Sequence, residues 1–89
     1  MTTLDRTSIL ATVCRHLGEI LEIDGATISE TQSFADDLGA DSISLIELVD
    51  ALEQEFSESI PNFQFEDDDL AGLQTVADAV NYIVRAVGA

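Results

Sequence analysis

Three stretches of this chain repeat apolar residues every three or four positions, a spacing that suits helices and no strand. The first stripe is Ile9, Leu10, Val13, Leu17, Ile20 and Leu21. The second, from about Ser42 to Phe56, carries Leu45, Leu48, Val49, Leu52 and Phe56. The third begins at Thr75 and carries Val76, Val80, Ile83, Val84 and Val87. Each stripe can leave water only by packing on another, which predicts an all-α fold. Local signals mark the ends. Thr2 with Asp5 suggests a capping box and Asp24-Gly25 a stop for the first helix. Asp78 is placed to cap with Thr75, and Gly88 to end the last helix. In the linker 22–41, Ser33 to Gly39 suggests a single turn capped by Ser33. In the linker 57–74, Asp67-Asp68-Asp69-Leu70-Ala71-Gly72 follows Pro61 and suggests one short helix. Asn62 to Phe65 alternates but is too short for a strand. The expectation is a small four-helix bundle, three main helices plus one short one, with residues 1–89 forming one domain.

Charge narrows the partners. Eighteen acidic residues face three basic ones (Arg6, Arg15, Arg85), for a net charge of −15. A phosphate backbone would be repelled, so nucleic acid is excluded as a partner. Anionic membrane surfaces are disfavoured on the same sign argument. Basic protein surfaces would be drawn in over a Debye length of ~8 Å. No apolar run approaches the ~20 residues a membrane span needs, and no signal-peptide core precedes the first helix. The single cysteine, Cys14, cannot form an internal disulfide and suits a reducing cytoplasm, the expected location; a monomer is expected as well.

The second helix has a face that does not serve the core. At ~100° per residue, Ile43, Ile46 and Asp50 point away from Leu45, with Glu47 and Gln54 just beyond and Glu53 at the near edge. Isoleucines ringed by carboxylates have the make-up of a docking patch, unless another loop covers them. Ser42 opens this helix after Gly39-Ala40-Asp41. Aspartate and serine are ordinary N-caps. Asp41 could cap while Ser42 turns its hydroxyl to solvent, where the helix terminus would tolerate a phosphate. Spacing alone leaves capping and modification both open. Catalysis is not supported: His16 is the only histidine, and no Gly-x-Ser-x-Gly elbow surrounds Ser42. Cys14 suits a core margin. The acidic run 67–69 lacks the spacing of a calcium loop, so no metal site is expected.

The segments Leu38-Gly39-Ala40-Asp41-Ser42-Ile43, Glu47-Leu48-Val49-x-Ala51-Leu52-Glu53-x-Glu55-Phe56 and Ile60-Pro61 together resemble an acyl carrier protein. With the Ser33-Phe34 turn and Thr75-Val76, the resemblance spans nearly the whole chain. It implies an acyl-carrier-like bundle in which Ser42, in an Asp41-Ser42 motif, receives 4′-phosphopantetheine from coenzyme A. The donor enzyme would be a magnesium-dependent phosphopantetheinyl transferase. Acyl-loading, condensing or acyl-transfer enzymes with basic docking patches would be the further partners. The resemblance assigns Asp41, Glu47 and Glu53 to the partner-reading face, with Ile43 and Ile46 its apolar part. It also implies that the acyl chain shelters between the helices. Three features depart from the fatty-acid pattern. Asp50 stands where an apolar residue is common, and Ile43 replaces leucine, as in peptidyl carriers. Asn62-Phe63-Gln64-Phe65 reads as an insertion, expected to set an aromatic near the mouth where the chain enters. Fatty-acid, specialised lipid and polyketide pathways are all implied. A peptidyl or aminoacyl carrier and an unmodified acidic interaction module are the alternatives.

Overall fold

In the computed structural model, residues 5–60 and 63–87 are described, Asp67 by its backbone only. Thr2, Pro61, Asn62 and Gly88, singled out above, lie outside the described residues.

Among the described residues four α-helices form: α1 (Arg6–Leu21), α2 (Ser42–Ser57), α3 (Asp67–Ala71) and α4 (Val76–Ala86). The all-α expectation holds, α3 being the short helix. Asp5 starts α1, its carboxylate accepting from Ser8 N at 2.8 Å. The helix stops before the expected Asp24-Gly25, because Glu22 adopts a left-handed φ of 57° and its N–H returns to Gly18 O. Asp24 instead caps a 3₁₀ turn, Gly25–Thr27, that periodicity did not reveal. Here the chain doubles back so closely that a Cβ on Gly25 would sit 2.8 Å from Cys14 O.

The linker after this turn is tied to α4. Phe34 N donates to Gln74 O, while Val76 N and Ala77 N donate to Gln32 O and Glu30 O. The last two are amides of the first turn of α4, which no intrahelical carbonyl can satisfy. Thr75 Oγ1 accepts from Asp78 N and the Asp78 carboxylate accepts from Thr75 N, so the expected capping box is present. The Ser33 turn also forms, with Asp36 N donating to Ser33 Oγ and Ser33 N to the Asp37 carboxylate. Its product is the position of Phe34, fully buried at the centre of the bundle.

α1 packs directly on both α2 and α4, whereas α2 and α4 do not approach each other comparably among the described residues. Side chains of the linkers fill the space between those two helices. The core comprises Ile9, Val13 and Leu17 of α1, Leu48, Val49, Leu52 and Phe56 of α2, and Val76, Val80 and Ile83 of α4. Leu10, Ile20, Leu21, Leu45, Val84 and Val87, counted with the stripes, are only partly buried. The stripes are wider than the contact each helix makes. Ala79, unmarked by periodicity, is fully buried where a larger side chain would find no room. Arg6 bridges Glu30 at 2.6 Å and reaches Asn81, and Arg15 and His16 both meet Glu55, joining α1 to α2.

Candidate functional site

Ser42 is the first residue of α2 and is exposed. The chain reaches it through Gly39, whose φ of 66° lies in the left-handed region that L side chains avoid. Ala40 is buried just beyond, its N–H donating to Phe34 O at 2.7 Å. The turn is thus anchored on the core immediately before Asp41 and Ser42.

Asp41 takes the capping role. Its Oδ1 accepts from Ser44 N at 2.9 Å. That N–H, with help from the Ser44 hydroxyl, holds the Asp41 carboxyl below its ordinary range. Ser42 therefore has no capping duty, and among the described residues no hydrogen bond engages its hydroxyl. An exposed, unengaged hydroxyl at the positive end of a sixteen-residue helix fits a phosphodiester.

Down the same helix, Ile43 and Ile46 remain 67% and 52% exposed, uncovered by any described loop. Glu47 and Asp50 are exposed beside them. The positions 43, 46, 47 and 50 form one stripe at i, i+3, i+4 and i+7. Glu53 departs from the expectation. It is half-buried, and its Oε2 accepts from Phe65 N at 2.7 Å, so its carboxylate secures the linker instead of facing outward. The insertion supplies that N–H, which no periodicity in α2 could reveal.

The aromatic insertion also lies elsewhere than expected. Phe63 and Phe65 are both buried, as required of at least one, but they pack at the far end of α2 from Ser42. Phe63 meets Phe56 edge-on at 5.9 Å, and Phe65 stacks on Tyr82 of α4 at 4.5 Å. Tyr82 Oη donates to Gln64 O at 2.9 Å, and burial is the first cause that raises its phenol to about 12. Nearer Ser42, sequence reasoning missed an apolar recess of about 240 Å³ lined by Phe34, Leu45 and Leu73. Its walls come from three distant segments and leave no local signal.

The residues considered for catalysis lie apart from Ser42. His16 pairs with Glu55 at 2.9 Å, thirteen residues and ~20 Å of helix axis from Ser42. Cys14 is buried, and burial pushes its thiol up, away from nucleophilic character. Asp69 accepts from Glu66 N as part of the cap of α3.

An exposed serine, free of the capping hydrogen bond, stands at the head of a helix whose outward face carries acids and isoleucines, an arrangement that suits the class of carrier proteins. Comparison with known proteins supplies the family. Residues 11–83 match the family described as the phosphopantetheine attachment site, and the chain belongs to it. It is 43% identical to an acyl carrier protein of Phenylobacterium zucineum, over 91% of this chain and 96% of that one. Among solved structures, an acyl carrier protein from Thermotoga maritima superposes with a TM-score of 0.79 at 25% identity, covering 99% of this chain and 96% of that one. One from Enterococcus faecalis gives 0.72 at 32% identity, covering 93% and 99%. Acyl carrier proteins are non-catalytic, and 4′-phosphopantetheine is the group this family carries.

Proposed function

We propose that Ser42 is the attachment point and that the chain carries acyl groups between enzymes of fatty-acid, specialised lipid or polyketide synthesis. The observation that carries this reading is the division of labour at the head of α2: Asp41 caps, and Ser42 is left exposed and unengaged. In the transfer, Ser42 Oγ forms the new phosphodiester bond, the diphosphate bond of coenzyme A breaks, and the nucleotide leaves as the hydroxyl gives up its proton. The attached arm supplies a thiol that holds an acyl group as a thioester, chemistry that belongs to the cofactor and partner enzymes. The chain's own residues hold the attachment point rigidly on the core and present Ile43, Ile46, Glu47 and Asp50 beside it. That acid-rimmed patch suits basic partner surfaces and favours fast encounters. Cytoplasmic residence agrees with the buried, free thiol of Cys14.

The test is intact mass after incubation with coenzyme A, magnesium and a broad-specificity phosphopantetheinyl transferase. The wild type is expected to gain one arm, and Ser42→Ala none while keeping its helical circular dichroism. An arm on the folded variant would refute the assignment.

A further inference from the structure

An acyl chain tethered at Ser42 is apolar and gains by leaving water. The recess beside Leu45, one turn along α2 from Ser42, lies between the first turns of α2 and the Leu73–Gln74 segment that leads into α4, with Phe34 as a further wall. Further along α2 and α4, Leu48, Leu52, Val80 and Ile83 are all fully buried. A longer chain could advance along α2 only by displacing these side chains and spreading the two helices. Close-packed interiors resist displacement unless a neighbour can yield.

The far end of the space between α2 and α4 is held shut. Glu53 on α2 binds Phe65 N at 2.7 Å, and Tyr82 on α4 binds Gln64 O at 2.9 Å. The linker carrying Phe63 and Phe65 is thereby hydrogen-bonded to both helices. Phe63 sits between Phe56 at 5.9 Å and Phe65 at 5.4 Å, so each ring backs another. Two independent features therefore oppose entry: the aromatic rings occupy the volume, and the two hydrogen bonds couple α2 to α4.

We propose that this aromatic latch makes Phe65 and Phe63 the residues that limit acyl length, so that the carrier shelters a short chain in the recess and excludes a long one. The proposal rests on the reading of Ser42 as attachment point. A short chain can lie in this recess of about 240 Å³, whereas a longer one must pass into the packed side chains beyond it.

The test uses the full chain with its arm loaded as hexanoyl or dodecanoyl thioester, verified by intact mass, and compares backbone NMR shifts. Hexanoyl loading is expected to shift Phe34, Leu45 and Leu73. Dodecanoyl loading of the wild type is expected to shift nothing further at Leu52 or Ile83, but to shift both in Phe65→Ala. Phe65→Leu replaces that variant if it fails to fold. Dodecanoyl shifts at Leu52 and Ile83 in the wild type would overturn the length limit. Their absence from the folded Phe65 variant as well would overturn the role of the latch. Absence of any arm on Ser42, read by mass before loading, would remove the attachment reading and the limit with it.

Discussion

The acids at the head of α2 and along it do different work, and the difference is set by what lies within hydrogen-bond reach. Asp41 holds an amide of its own helix, Asp50 faces water, and Glu53 holds an amide from the linker. Removing an ionised acceptor from a partly buried N–H leaves that group unpaired. Glu53→Ala should therefore lower stability by ~1–2 kcal/mol, Glu53→Gln by less, and the exposed Asp50→Ala by under ~0.5 kcal/mol. Chemical denaturation of the three variants checks the order. Equal effects at Glu53 and Asp50 would show that the contact to Phe65 contributes nothing.

Among the elements, α1 and α2 are joined on their outer side by Glu55, which accepts from Arg15 at 2.6 Å and meets His16 at 2.9 Å. The His16 contact, then Arg15, holds the Glu55 carboxyl below its ordinary value of 4.5. A carboxyl lowered on folding adds stability above its unfolded pKa and loses it as pH falls through the folded one. Because Glu55 is largely exposed, the contribution is small. Glu55→Gln should cost ~0.5 kcal/mol near neutrality. The gap to wild type should close once the pH falls well below 4.5. Urea melts of both proteins at the two pH values would reveal it, and a gap that persisted in acid would indicate lost packing.

For the whole molecule, the balance is between a small core and a net charge of −15. Two of the three arginines are engaged with single carboxylates, Arg6 with Glu30 and Arg15 with Glu55, so most of the acid excess is left to repel itself. Self-repulsion opposes the compact state and is screened by salt. Raising ionic strength from a few millimolar to ~0.15 M should raise the melting temperature by several degrees. A melting temperature indifferent to salt would mean that core packing outweighs the repulsion.

The helices, the Thr75–Asp78 cap, the Ser33 turn and the outward isoleucines of α2 were legible in the sequence, because each depends on residues within a turn or two. So was the pairing of a capping Asp41 with a free Ser42, since a helix start is a local event. What only the tertiary structure decided involves distant segments. The amides that open α4 found carbonyls at Gln32 and Glu30, some forty-five residues upstream. Glu53 turned to the insertion, and Phe63 and Phe65 closed the end of the bundle away from Ser42. Periodicity tells which face of a helix is apolar. Which linker side chain fills the gap between two helices depends on the shape left after they have packed, and no local pattern carries that shape.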